Sequence, residues 1–155
     1  ENMDPPTALI FSRQNVKSLP EGTDYQQTRK GAYIVTGSDE QFDVILVASG
    51  SEVSTCVAGA ELLRKDGVKV RVVSAPSEGL FRRQSKEYQE QILPRDAKIF
   101  GLTAGLPVTI EGLVGANGKV FGLNSFGFSA PYPVLDEKLG FTPENVYKQV
   151  KAFLA

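Results

Sequence analysis

A chain of 155 residues suits one domain of ordinary size with its own core. Its 17 Lys and Arg nearly balance its 18 Asp and Glu, so net charge does not favour nucleic acid or an anionic membrane as a partner. The chain has no histidine and one cysteine. This composition excludes imidazole catalysis, an internal disulfide and a structural zinc site. Any chemistry would have to use carboxylates, Lys, Tyr or Ser.

Two features bear on the compartment and on the cysteine. No apolar run approaches the roughly 20 residues that span a bilayer, and Glu1–Pro6 lacks the pattern of a signal peptide. We therefore expect a soluble, cytoplasmic protein. Cys56 lies on the apolar stripe of a predicted helix, which favours a buried structural side chain over a reactive thiol.

The first apolar run, Thr7–Phe11, is followed by a polar stretch from Ser12 to Gly31 that shows no sustained period. Such a stretch is typical of a linker on a surface. We place a domain boundary inside it. Residues 1–19 are then the tail of a preceding domain and the linker, and residues 20–155 form the domain itself.

Beyond the linker, short runs rich in Val, Ile and Leu alternate with helical patterns. The predicted strands are Ala32–Val35, Asp43–Ala48, Lys69–Ser74, Ala97–Leu102 and Lys119–Leu123. The predicted helices are one from Glu52 to Leu63 closed by Gly67, one at Ser85–Leu93, a short one at Val108–Leu113 and a last one capped by Thr142 and Pro143. This alternation predicts an α/β three-layer sandwich around a five-stranded, mostly parallel (mixed) sheet. The turn formers Gly37, Ser38 and Asp39 predict a hairpin, and hence one antiparallel pairing.

The turn Ser49-Gly50-Ser51-Glu52 joins a strand to a helix, where free backbone N–H groups can bind phosphate. It lacks the spacing of a dinucleotide-binding loop and the Gly-Lys-Ser/Thr ending of a P-loop. Glu52 would also compete with an incoming phosphate. We therefore interpret the turn as a compact structural one, capped by its own serines.

Two further clusters have alternative interpretations. The basic residues fall into two groups: Arg64, Lys65, Lys69 and Arg71, and then Arg82, Arg83 and Lys86. Because acidic residues lie near both groups in the sequence, we interpret both as solvated faces. An aromatic and glycine-rich loop contains Phe121, Phe126, Phe128 and Tyr132. This loop could contact a neighbouring subunit or domain, or pack under the last helices of its own domain.

Four stretches, in this order and spacing, resemble successive motifs in the carboxyl-terminal portion of transketolases. They are Pro6-Thr7-Ala8-Leu9-Ile10-Phe11-Ser12-Arg13-Gln14-Asn15, Ile45-Leu46-Val47-Ala48-Ser49-Gly50-Ser51-Glu52-Val53, Val70-Arg71-Val72-Val73-Ser74-Ala75-Pro76, and Asn124-Ser125-Phe126-Gly127-Phe128-Ser129-Ala130-Pro131 followed by Phe141-Thr142. The likeness extends over nearly the whole chain. The Ser-Arg-Gln-Asn and Ser-Phe-Gly motifs are specific in combination.

The resemblance implies a parent enzyme that transfers a two-carbon ketol unit between sugar phosphates in the pentose phosphate pathway. It implies thiamine diphosphate and a divalent metal (Mg or Ca) as the parent's cofactors, held by the domains that precede this one. Residues 1–19 would include the tail of the pyrimidine-binding domain. The partners would be those preceding domains and the second subunit of a homodimer. This chain would supply no catalytic, cofactor-binding or metal-binding residue, and the isolated fragment would be inactive.

One functional residue carries over from the family. Arg13 matches an arginine that contacts the terminal phosphate of the substrate, a task that suits the paired donors of a guanidinium. A departure from the family pattern occurs at Thr103-Ala104 and Leu106-Pro107, with Val108–Leu113 also unusual. It leaves the packing and any interface role of that segment open.

Two other classes of function remain as alternatives. One is the partner-binding carboxyl-terminal domain of a related thiamine-dependent 2-oxoacid dehydrogenase. The other is an independent nucleotide binder of flavodoxin-like type, which would require a better phosphate loop than Ser49–Glu52. The preferred interpretation is a structural and assembly domain that also offers a surface for a regulator or partner.

Overall fold

The computed structural model describes residues 6, 8–37 and 41–155. The strands are β1 (Tyr33–Thr36), β2 (Val44–Ala48), β3 (Val70–Ser74), β4 (Ile99–Leu102) and β5 (Lys119–Phe121). The α-helices are α1 (Glu52–Lys65), α2 (Glu78–Arg82), α3 (Lys86–Ile92), α4 (Val108–Val114), α5 (Tyr132–Leu139) and α6 (Pro143–Leu154), and a 3-10 helix covers Tyr25–Lys30.

The five strands form one sheet in the order β1-β3-β2-β4-β5. Strands β2 to β5 are parallel, and β1 is antiparallel to β3. The predicted five-stranded, mostly parallel sheet is therefore confirmed. The predicted hairpin between β1 and β2 is wrong. Strands β3 and β4 pair with the two edges of β2, so β1 pairs with the free edge of β3. Ser38 and Asp39 of the predicted turn lie outside the described residues.

Helices cover both faces of the sheet, which confirms the three-layer sandwich. On one face, α1 and α6 pack against alternate strand residues such as Leu46, Val72 and Phe100. On the other face, α2, α3 and α4 cover Ile45, Val47, Val73 and Ile99. Every residue of β2 and β3 is buried, as expected for parallel strands covered on both faces. Cys56 is fully buried on the α1 face, as predicted. Burial raises the pKa of its thiol.

The linker is more ordered than its sequence pattern predicts. It forms the 3-10 helix and ends at Gly31, whose carbonyl accepts a hydrogen bond from the Ser77 N–H at 3.0 Å. The Tyr88 hydroxyl donates to the Ala32 carbonyl at 2.9 Å, and Lys30 lies over the Tyr88 ring. These contacts fix the start of the domain against α2 and α3.

The apolar run before the linker has no regular secondary structure among its described residues. Residues 8–11 form neither helix nor strand, and Leu9, Ile10 and Phe11 are exposed. No described strand lies beside this run to pair with it. Thr7, the first residue of the predicted run, lies outside the described residues.

Arg71 corrects the prediction of a solvated basic face. It is buried in β3, with one guanidinium nitrogen 2.9 Å from the Gln91 carbonyl at the end of α3. The guanidinium also stacks on the Phe42 ring, 4.2 Å from its centroid. Helix-end carbonyls and aromatic faces both stabilise a cation. Burial lowers the pKa of Arg71 from its usual value.

Within the described part of the chain, no helix is long and apolar enough to cross a membrane.

Candidate functional site at the carboxyl edge of the sheet

The site lies where the strand order changes direction. The chain leaves β2 towards β3 on one side, and β4 lies on the other side of β2. In open α/β sheets, ligands bind at such a switch point, outside the carboxyl ends of the strands. The segments at this edge are the turn after β2, the loop after β4 and the loop after β5.

The structure places Arg13 beside this edge. Ser12, Arg13 and Gln14 line a cleft of about 480 Å³ together with Ser51, Ala130, Pro131 and Tyr132. A Cβ built on Gly50 would lie 3.8 Å from the Ser12 hydroxyl, so the Ser12 segment rests on the turn after β2. Arg13 is exposed, and it forms no ion pair with a described residue.

The capping of the turn Ser49–Glu52 differs from the prediction. Ser51 stands at the N-cap of α1 without making a side-chain cap, and its hydroxyl donates to Glu52 Oε1 at 2.7 Å. Glu52 lies in the first turn of α1, where its carboxylate interacts favourably with the helix dipole.

The pKa of the Glu52 carboxyl, at this edge, is raised above its ordinary value. Burial raises the pKa of Glu52, and the Ser51 hydroxyl and the backbone N–H groups of Ala104 and Glu52 partly offset that rise. Asp136 of α5 adds a further rise through charge repulsion, and desolvation raises the pKa of Asp136 itself.

Replacing Glu52 with glutamine is expected to change how stability depends on pH. Because the folded-state pKa of Glu52 is raised, its stabilising contribution is present below the unfolded value of about 4.5 and is lost as pH rises through the folded pKa. The unfolding free energy of the wild type should therefore fall, relative to Glu52→Gln, as pH rises above about 4.5. Urea titrations at several pH values measure the difference, and a difference that rises with pH would contradict this assignment.

The aromatic loop after β5 is divided between the core and the surface. Phe121 packs edge-on against Phe141, with 5.6 Å between the ring centroids. Phe126 and Phe128 are 98% and 69% exposed, and Tyr132 is 43% exposed. Side chains of this size are seldom so exposed without a partner. Of the two interpretations that the sequence left open, this exposure favours contact with a neighbouring domain or subunit.

A larger cavity of about 750 Å³ lies on the opposite side, between α3, α4 and the amino end of β4. Its rim mixes Lys86 and Arg95 with Glu87, Glu90 and Asp96, so it favours no ligand charge. Arg82, in the wall of this cavity, forms a salt bridge with Glu78 at 3.0 Å and donates a hydrogen bond to the Gly112 carbonyl. No cluster of three or more metal-ligating side chains occurs among the described residues.

Sequence reasoning found Arg13 but not its neighbours. Ser51 and Tyr132 are far from Arg13 in the chain, and no local pattern joins the three. The predicted parallel strands could have indicated that these residues lie close together, because the segments that follow the carboxyl ends of parallel strands share one edge of the sheet. Tyr132 follows β5 and Ser51 follows β2, so both were candidates for this edge.

Fold and site together define an open α/β domain of the doubly wound class, with a cationic cleft at its switch point. The family model of the transketolase-like TK C-terminal domain matches residues 31–142. The chain therefore belongs to the transketolase C-terminal domain family. The alternative of a 2-oxoacid dehydrogenase domain is not favoured.

The relatives agree with this assignment. The chain is 44% identical to a Staphylococcus epidermidis transketolase over 98% of its own length, and 43% identical to transketolase 2 of Vibrio parahaemolyticus over 100%. It spans 23% and 24% of those two proteins. Transketolase from Leishmania mexicana and the Pichia stipitis transketolase complex with sedoheptulose 7-phosphate each superpose with a TM-score of 0.83 and 33% identity. Each superposition covers 92% of this chain and 20% of the chain in the solved structure.

Proposed function

We propose that this chain is the assembly domain of a transketolase, whose parent transfers a two-carbon ketol unit between sugar phosphates. The observation that carries the proposal is a match over essentially the full chain to transketolases that are about four times longer. Residues 1–19 belong to the end of the pyrimidine-binding domain and the linker, and residues 20–155 form the assembly domain. The parent acts in the pentose phosphate pathway, in the cytoplasm.

The chemistry of the parent lies outside this chain. Thiamine diphosphate and its divalent metal are bound by the preceding domains, where the cofactor supplies a carbanion for ketol transfer. The residues at the carboxyl edge of the sheet fit neither group. Glu52 occupies the start of α1, where a pyrophosphate would otherwise bind, and Asp136 adds a second acid beside it.

The chain contributes in two ways. Its exposed loop residues Phe126 and Phe128 contact the preceding domains or the second subunit of a homodimer, and so stabilise the assembled enzyme. Arg13 contacts the terminal phosphate of the sugar substrate. Its guanidinium suits this task, because it forms no ion pair with any residue that the structure describes.

An assay of ketol transfer tests the proposal. The parent protein, with thiamine diphosphate and Mg²⁺, should convert xylulose 5-phosphate and an aldose phosphate, and the 155-residue chain alone should not. Calorimetric titration of thiamine diphosphate into the 155-residue chain should give no binding heat. Clear binding to this chain, or a parent inactive on sugar phosphates, would contradict the proposal.

A further inference from the structure

The connection between α4 and β5 contains the one Asn-Gly pair in the sequence, Asn117-Gly118. A side-chain amide is especially reactive in this setting, because glycine has no Cβ to shield the backbone nitrogen that follows the asparagine. Asn117 lies in a turn and is exposed. Among the described residues, the asparagine whose side-chain amide is hydrogen-bonded is Asn145, at 2.8 Å from the Gly140 carbonyl. The amide of Asn117 has no such bond to hold it.

The backbone nitrogen of Gly118 is loosely held in the same turn. Its N–H donates to the Gly115 carbonyl at 3.3 Å, which is beyond the usual range for such bonds. Nothing lies within 4 Å of a Cβ built on Gly115, so the turn is open on that side. Water can therefore reach both the Asn117 amide and the Gly118 nitrogen.

The Asp-Gly pair of the chain, Asp66-Gly67, shows how the fold can protect such a sequence. The Asp66 carboxylate accepts from the Tyr147 hydroxyl at 2.5 Å and from the Lys151 ammonium group at 3.2 Å. These two hydrogen bonds lower the pKa of Asp66, so its carboxyl group stays ionised and is a poor electrophile. Asn117 has neither this restraint nor a charge that would make it unreactive.

The backbone at Gly118 is tightly packed on its inner side. A Cβ built there would lie 2.6 Å from the Ile99 carbonyl oxygen and closer still to a methyl group of Val114. The next residue, Lys119, begins β5 and pairs with Phe100 of β4. An isoaspartyl residue would add one carbon atom to the backbone path directly before this contact. Because Gly118 has no room to move inward, the added length must shift the start of β5.

We propose that Asn117 is a site of spontaneous deamidation, and that its isoaspartyl product displaces the start of β5. The Gly118 nitrogen loses its proton and bonds to the side-chain carbonyl carbon of Asn117, which closes a succinimide ring and releases ammonia. One water molecule then adds to either ring carbonyl and breaks its bond to the Gly118 nitrogen. One opening gives aspartate with an ordinary backbone, and the other gives isoaspartate. The net change is one water consumed and one ammonia released, and it does not depend on the proposed function.

Peptide mapping of the parent protein, aged in its folded state at mildly basic pH, tests the chemistry. Trypsin cuts after lysine and arginine, so Asn117 falls in the peptide 99–119 and Asn124 in the next one, 120–138. Both asparagines are exposed, but Asn124 precedes a serine, which makes it the internal control. We expect Asn117 to deamidate about tenfold faster than Asn124, because only its neighbour lacks a Cβ. Equal rates, or conversion of Asn117 only in urea, would overturn the proposal.

Hydrogen exchange at residues 119–121 of the same aged protein tests the displacement of β5. Wild type should show a second, faster-exchanging population at β5, equal in size to the measured fraction of isoaspartate. Asn117→Gln is the matched control, because its longer side chain cyclises more slowly and the position is exposed. The aged variant should exchange as the fresh wild type does. An aged wild type that carries isoaspartate and still exchanges as a single slow population would overturn the displacement.

Discussion

Replacing Gly31 with alanine should lower the free energy of unfolding by about 3 kcal/mol or more. Gly31 has a φ of +86°, which L side chains rarely adopt. A Cβ at this position would lie 2.3 Å from the Phe81 nitrogen and 2.4 Å from the Ser77 oxygen, both of them backbone atoms of α2 or its cap. The backbone must therefore move, and the Ser77 N–H bond to the Gly31 carbonyl would be strained or lost.

Gly22→Ala is the matched control for this prediction. Gly22 has a similar φ of +83°, but nothing lies within 4 Å of a Cβ built there. It should cost only the strain of the left-handed conformation, about 1 kcal/mol. Urea unfolding followed by far-UV circular dichroism measures both, since the chain has no tryptophan. Equal losses for the two variants would show that the linker is not packed against α2.

Replacing both Phe126 and Phe128 with serine should weaken dimerisation of the parent enzyme roughly a hundredfold, because buried aromatic side chains dominate the energy of interfaces. The two rings are 98% and 69% exposed in this chain, so their loss should cost the isolated domain little stability. Light scattering of the parent over a dilution series measures the dimer dissociation constant. The activity of the parent should fall with the dimer fraction.

Tyr25→Ser provides the control for the aromatic loop. Tyr25 is exposed to a degree close to that of Phe128, but it lies in the 3-10 helix of the linker. Its loss should leave dimerisation unchanged. If the doubly substituted enzyme dimerises as tightly as the wild type and keeps its activity, the aromatic loop is not an assembly surface.

Sequence reasoning succeeded where the determinants of structure are local. Helix α6 begins at Thr142 and Pro143, a cap and a first helical residue, and the Thr142 hydroxyl accepts from the Asn145 N–H as such caps do. β2 was recognised because a run of apolar residues is typical of a strand buried on both faces. The order of four motifs supplied the family, which no periodicity could do.

The failures concern contacts between distant parts of the chain. The partner of β1 is decided by which sheet edge remains free, and the turn at Gly37 carries no information about that. Helix α2 spans five residues, too few for a period to be detected. Arg71 resembles its solvated neighbours in sequence, and only the fold places it between Phe42 and the end of α3.

The same limit applies to the candidate site. Arg13 was found from the Ser-Arg-Gln-Asn motif, whereas Tyr132 joins it only because the loop after β5 returns to the edge that the linker crosses. The hydrogen bond from the Ser51 hydroxyl to Glu52 Oε1 depends on the rotamers of both side chains. A sequence pattern places such a residue at a helix start but does not fix its rotamer.

On the proposed function, this domain assembles the enzyme without carrying its chemistry. The most direct test compares the parent enzyme with and without residues 20–155, by light scattering for mass and by ketol transfer for activity at a saturating concentration of thiamine diphosphate. We predict that the truncated enzyme loses stable dimers and most of its turnover, and that both recover in part at high protein concentration. Unchanged dimerisation together with unchanged activity would contradict the claim.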